Sequence, residues 1–218
     1  KINDRQVSQS TKIYDRTGTH MLYEVYQNQK RTLINLDQMA TSALNATIAV
    51  EDKNFYEHCG IQIKSIFRAG FYNLIGRKSG SGGASTLTQQ LIKNVVVGNE
   101  RSIFRKIKEA ILAIRLEKKY SKDQILKLYL NEIPYGSTNY GIEAASQSYF
   151  QKSAKDLTLA ESATLAAIPK APSKYLKNLN ALRDRRDLVL ALMYDQGHIT
   201  EVEKKEAQGV ALRIFRTG

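Results

Sequence analysis

From Asp37 onward the apolar residues recur at three- and four-residue spacing in one segment after another, a pattern that buries its apolar side by packing helices together. In the first such stretch Leu44, Ile48 and then Glu51 or Asp52 fall at i, i+4 and i+7 or i+8, so an acidic pair ends an otherwise apolar face. The same periodicity predicts helices over 62–75, 86–97, 103–119, 122–131, 139–150, 158–168, 180–196 and 200–207. The prolines are Pro134, Pro169 and Pro172, and the last two are expected to end the 158–168 helix. Residues 12–36 alternate loosely around Asp15-Arg16-Thr17-Gly18, which predicts a short hairpin or extended arm. The stretch GRKSGSGGAS (76–85) has too many glycines and serines to pack and reads as a mobile loop of the kind that borders substrate clefts. The fold class is mainly α.

With 218 residues, 42% of them hydrophobic, the chain can bury a substantial core. Lys and Arg number 33 against 21 Asp and Glu, a net charge of +12, so a polyanion is the expected counterpart: nucleic acid, an anionic membrane or a phosphorylated substrate. Cys59 is the sole cysteine, which excludes an internal disulfide and a thiol-ligated metal site. No run approaches the roughly 18 apolar residues of a membrane-spanning helix, and the N-terminus is polar. The chain begins without Met and stops at FRTG, as a piece excised from a longer, anchored protein would.

Three segments carry chemistry. In EDKNFYEHCG (51–60), a carboxylate at the end of an apolar helix is poorly solvated and suited to take a proton from a hydroxyl. Asp52 points about 100° away around the helix axis and need not share that task. The ordinary alternative is an acidic helix end with Phe55 as core anchor and His58 as structural hydrogen-bonder. In GASTLTQQLIKN (83–94), Thr86 and Gln89 fit a capping box, so a helix opens after the glycine loop. Thr86, Gln90, Lys93 and Asn94 share one face that could hold phosphate oxygens, or could be a solvated surface. In RKIKEAILAIRLEKK (105–119), Ile107, Ala110, Ile111 and Ile114 continue a stripe from Ile103, while Leu112 and Leu116 lie opposite, beside Arg105 and Glu109. A helix apolar on two sides is expected to be buried on both, so the Arg105–Glu109 pair could face a partly enclosed cleft; the ordinary alternative is a weak helix-surface ion pair.

The order EDxxFxxHxG, GxSTLTQQLxKN, RKxxExxxAxxLE resembles the first three signatures of the family 51 peptidoglycan glycosyltransferases, the transglycosylase domains of class A penicillin-binding proteins and monofunctional glycosyltransferases. KDQILKLYLNEIPYG (122–136) resembles the fourth and LTLAESATLAAIPKAP (157–172) the fifth. The resemblance covers roughly residues 40–195, and the arm IYDRTGTHMLYE looks like the segment preceding the catalytic unit. Lys127 stands where the fourth signature commonly has a carboxylate, and Cys59 where Gly, Pro or another residue is usual.

The resemblance implies a lysozyme-like helical lobe with a smaller membrane-facing jaw lobe and a short extended N-terminal arm. The divisions would be 1–40 for the arm, 41–200 for the glycosyltransferase domain with jaw and mobile loop at 62–84, and 201–218 for a C-terminal helix and linker toward a further domain. It implies that lipid II is joined to the growing glycan strand by attack of a GlcNAc 4-hydroxyl on the anomeric carbon, with inversion and loss of undecaprenyl pyrophosphate. Glu51 would be the general base and Glu109 the second carboxylate. Asp52, Phe55 and His58 would shape the first site; Arg105, Lys93, Lys106, Arg115, Thr86, Gln90 and Asn94 would hold the donor. Ile66, Phe67, Phe71, Leu74 and Ile75, set among basic residues, would face the bilayer. No cofactor is required by the pattern; Mg2+ or Mn2+ near the pyrophosphate aids some members, though the sequence has no metal-ligand cluster for it. The further expectations are inhibition by moenomycin, a covalently linked transpeptidase domain, no nucleic-acid partner, and a place on the extracytoplasmic face of the cell membrane through an N-terminal anchor outside this chain. One rival is a lysozyme-like muramidase or lytic transglycosylase, which needs no pyrophosphate clamp. The other is a basic nucleic-acid-binding module, for which no binding signature is present.

Overall fold

The computed structural model describes residues 11–14, 21–25, 30–62, 85–97 and 103–215. The fold is mainly α, as the periodicity predicts. Two strands, β1 (Thr11–Tyr14) and β2 (Met21–Val25), pair antiparallel with Thr11 opposite Val25 and Ile13 opposite Tyr23, which is the expected hairpin; its turn lies outside the described residues. The helices are α1 (Thr41–Glu51), α2 (Leu87–Ile92), α3 (Ile103–Glu117), α4 (Lys122–Glu132), α5 (Ile142–Phe150), α6 (Leu159–Ala167), α7 (Pro172–Lys177), α8 (Leu179–Asp195) and α9 (Glu201–Gly209). The predicted 62–75 helix, the glycine loop short of Ser85, and Ile66, Phe67, Phe71, Leu74 and Ile75 lie outside the described residues.

Helix α1 is the centre of the lobe. Ala43, Ala46 and Ala49 are buried, and their small side chains let α6 and α8 pack close, with α6 and α8 also in contact with each other. Ser42 and Ser162 hydrogen-bond across the α1–α6 contact at 2.7 Å, and Thr47 bonds back to the Ala43 carbonyl, so the polar residues of this interface leave no hydroxyl stranded. The second group is α2 packed on α3 and α4. At the C-terminal end, the buried Arg186 of α8 donates to the carbonyls of Val210 and Gln208 at 2.7 and 2.9 Å, and Phe215 N donates to Tyr149 O. Residues 201–215 therefore pack onto the lobe.

Four details differ from the periodicity. The helix expected from 139 starts at Ile142, because Asn139–Tyr140 (β4) pairs with Pro134–Gly136 (β3) first. The 158–168 helix does end near Pro169, but Pro169 sits inside a 3-10 turn (Ile168–Lys170) and Pro172 opens α7, where a missing N–H costs nothing at the first helical position. The 86–97 helix is α only to Ile92 and continues as a π-helical stretch over Lys93–Val97. Helix α3 is buried on one side only: Ala113 and Leu116 are in the core, while Phe104, Ile107 and Ile111 are 84%, 52% and 48% exposed. Apolar periodicity marks a face but does not guarantee that the face is buried.

Candidate active site

Glu51 is the last residue of α1 and half-buried; Asp52, one residue on, caps the helix and is buried. Their environments differ as their directions do. Asp52 Oδ2 accepts from His58 Nε2 at 2.8 Å and from the backbone N–H of Leu87 at 3.0 Å, and Oδ1 accepts from Gln62 Nε2 at 2.6 Å. Leu87 is the first residue of α2, so the Asp52 charge sits at the positive end of that helix. The His58 tautomer follows from its second bond: Gly60 N donates to Nδ1 at 3.1 Å, so the ring proton is on Nε2, facing Asp52. Phe55 is fully buried beneath this loop with Lys122 Nζ 4.6 Å from its ring centroid, and Lys122 also donates to His58 O and to Glu117. Gly60 holds φ +88°, and a Cβ there would meet the Ala113 backbone at 2.9 Å, so the loop crosses α3 where only glycine fits. Together these contacts tie the loop after Glu51 to α2, α3 and α4.

Helix α2 opens with the predicted capping box: Thr86 Oγ1 accepts from Gln89 N at 3.1 Å and Gln89 Oε1 accepts from Thr86 N at 3.0 Å. Thr86 is buried and its hydroxyl donates to Gly60 O at 2.6 Å, so it serves the cap and the loop and is not offered to a ligand. One turn on, Gln90 Nε2 donates to Glu51 Oε2 at 2.8 Å, and its Oε1 accepts from the buried Tyr129 hydroxyl at 3.2 Å. Lys93 and Asn94 follow, both exposed.

On α3, Glu109 is 0% exposed, and both of its oxygens are held: one by Arg105 Nη1, the other by Lys106 Nζ at 2.7 Å. Arg105 is itself 15% exposed, so this is the enclosed pair that the sequence left open against a surface pair. Burial first, and then the charges of Arg105 and Lys93, lower the Lys106 ammonium below its usual pKa, which places the cations close enough to repel. Two cations thus bind one carboxylate, with the Lys93 charge close enough to act on Lys106. Arg105 Nε is buried with no hydrogen-bond partner among the described residues. Arg115, by contrast, is exposed and ten residues further along α3, about 15 Å by helical rise, so it stands apart from the cluster.

Among the described residues no three His, Cys, Asp or Glu side chains converge as metal ligands, and Glu109, the one carboxylate in the cation cluster, is fully occupied. Protein ligation of Mg2+ or Mn2+ does not fit here. Sequence reasoning passed over Tyr129, Glu117 and Lys122. Tyr129 could have been found, since it stands at a core position among Ile125, Leu126 and Leu130, where its hydroxyl needs a partner.

The chain matches the family model described as Transglycosylase over residues 18–194. It is 45% identical over 207 residues to penicillin-binding protein 1F of Bacillus subtilis (94% of this chain, 29% of that protein). It is 41% identical over 213 residues to penicillin-binding protein 1A of Escherichia coli (97% and 25%). The crystal structure of penicillin-binding protein 1A from Haemophilus influenzae superposes with a TM-score of 0.55 at 25% identity, covering 96% of this chain and 22% of that one. Fold and comparisons define the class, a lysozyme-like helical glycosyltransferase domain. The chain belongs to the transglycosylase family, as a family 51 domain of the class A penicillin-binding proteins. It spans about a quarter of the length of these curated relatives.

Proposed function

We propose that this chain is a peptidoglycan glycosyltransferase that polymerises lipid II into β-1,4-linked glycan strands. The 4-hydroxyl of the acceptor GlcNAc attacks the anomeric carbon of the growing strand. The new C–O bond forms as the bond to undecaprenyl pyrophosphate breaks, with inversion, and the hydroxyl proton passes to Glu51. The pyrophosphate gains negative charge as it leaves, so cations fixed beforehand stabilise the transition state more than the ground state. Arg105, Lys106 and Lys93 fill that role, and Glu109 fixes the first two in place rather than touching the sugar. The observation that carries the proposal is the excess of cation over carboxylate around the buried Glu109, with an Arg105 Nε beside it that has no partner among the described residues. Asn94 is the remaining candidate for a donor-side hydrogen bond. Asp52, His58, Phe55 and Thr86 act by holding the loop and α2.

A muramidase would place its two carboxylates about a sugar and would have no use for such a cluster. The reading extends to a membrane-bound substrate met at the extracytoplasmic face, to the jaw residues Ile66, Phe67, Phe71, Leu74 and Ile75 as its lipid contact, to an anchor and transpeptidase domain in the whole protein, and to moenomycin as inhibitor. No divalent cation is required. Incubation with labelled lipid II, with and without moenomycin, followed by product sizing, tests the proposal. Moenomycin-sensitive polymer is expected; release of disaccharide fragments from existing glycan, with no polymer, would replace it with the muramidase.

A further inference from the structure

Gln90 bonds to the proposed base on one side and to a buried phenol on the other. Its Nε2 lies 2.8 Å from Glu51 Oε2 and its Oε1 lies 3.2 Å from the Tyr129 hydroxyl. An amide can sit either way round, and its neighbours decide which. An ionised carboxylate only accepts, so it requires the NH2 end; the carbonyl end then faces the phenol, which must donate. The phenol is well suited to do so. Burial, and then the charge of Glu51, raise the Tyr129 pKa well above its ordinary value, so the hydroxyl keeps its proton at any working pH. The bonds therefore all run one way, from Tyr129 through Gln90 to Glu51.

Glu51 needs such support. It stands at the C-terminal end of α1, where the helix carbonyls point outward and disfavour negative charge. Gln90 is its hydrogen-bond partner among the described residues. We infer that Tyr129, acting through Gln90, is a positioning residue for Glu51: the strut fixes the carboxylate's orientation, occupies Oε2, and leaves Oε1 to receive the proton. The inference rests on Glu51 being the base, and it reassigns Gln90 from a donor-site ligand to a partner of that base. It spans three elements, since Glu51 ends α1, Gln90 is on α2 and Tyr129 on α4, so the packing of α2 between the other two sets the reactive group.

The test uses Tyr129→Phe, Gln90→Leu and the double variant in the full chain. Loss of the phenol hydroxyl frees the amide to turn, and kcat on lipid II is expected to fall about tenfold, the worth of one hydrogen bond at a charged site, with KM within about twofold. A bond donated to a carboxylate favours its ionised form, so the acidic limb of the kcat/KM profile moves to higher pH in both single variants. Because Tyr129 acts through Gln90, the double variant is no slower than Gln90→Leu alone. An unmoved acidic limb, or losses that multiply in the double variant, would overturn the inference. If Tyr129→Phe fails to fold, the limb in Gln90→Leu decides by itself. The 13C carboxyl titration of Glu51, assigned with Glu51→Gln, needs no turnover. A midpoint moved upward in the variants supports the strut even if wild type makes no polymer, in which case the glycosyltransferase reading alone falls. An unmoved midpoint in an active enzyme removes the strut and leaves that reading standing.

Discussion

Adjacent acidic residues have opposite situations here. Glu51 keeps one described hydrogen bond and is half-buried, whereas Asp52 accepts three and is buried. Replacing Asp52 with Ala would strand the Leu87 N–H, the His58 Nε2–H and the Gln62 amide together, and a buried group left without its partner costs about 1–3 kcal/mol. Asp52→Ala is expected to lose on the order of 3 kcal/mol in denaturant unfolding and to lose activity with it. A variant as stable as wild type would mean that this knot does not hold the loop. The acidic pair was legible in the sequence as a helix end, and the 100° between successive side chains agrees with their different surroundings. Their partners were not legible. Leu87 and Gln62 are 35 and 10 residues away from Asp52, and no local pattern announces a backbone N–H as a ligand.

At the scale of elements, helix starts were written plainly. Ser121 and Gln124, Thr158 and Glu161, and Thr200 and Glu203 all form the same capping box as Thr86 and Gln89. At α6 the box has a pH signature. Burial alone would raise the Glu161 pKa, but the Thr158 N–H and hydroxyl and the Lys152 ammonium outweigh it and hold the folded value below the ordinary carboxylate range. A depressed folded pKa contributes stability above the unfolded pKa and loses it as pH falls through the folded one. Thr158→Ala is thus expected to cost about 1 kcal/mol near neutrality and less in acid. Equal cost at both pH values, by denaturant unfolding, would show that Glu161 is not part of the cap. Where periodicity misled, the reason was a neighbour it cannot see: β3 takes Asn139–Tyr140 into a strand pair, and α3 keeps Phe104, Ile107 and Ile111 exposed on a face that reads as core.

For the whole molecule, the net charge of +12 indicated a polyanion without naming one, and five ordered motifs supplied the name that charge could not. The Transglycosylase match over residues 18–194 agrees with them. Among the described residues no helix is long and apolar enough to cross a membrane. The cation cluster also bears on metals. If Arg105, Lys106 and Lys93 serve the leaving group as proposed, dialysis against EDTA is expected to leave polymerisation within about twofold of the untreated enzyme, since fixed side-chain charges would do the electrostatic task. Loss of turnover that added Mg2+ restores would instead make the ion essential. The most direct test of the account is lipid II polymerisation by Glu51→Gln beside wild type. The substitution keeps shape and removes the proton acceptor, and it relieves a carboxylate at a helix C-terminus worth roughly 0.3–1 kcal/mol. Glu51→Gln is expected to be at least as stable as wild type and to make no polymer; polymer at a rate near wild type would rule out Glu51 as the base.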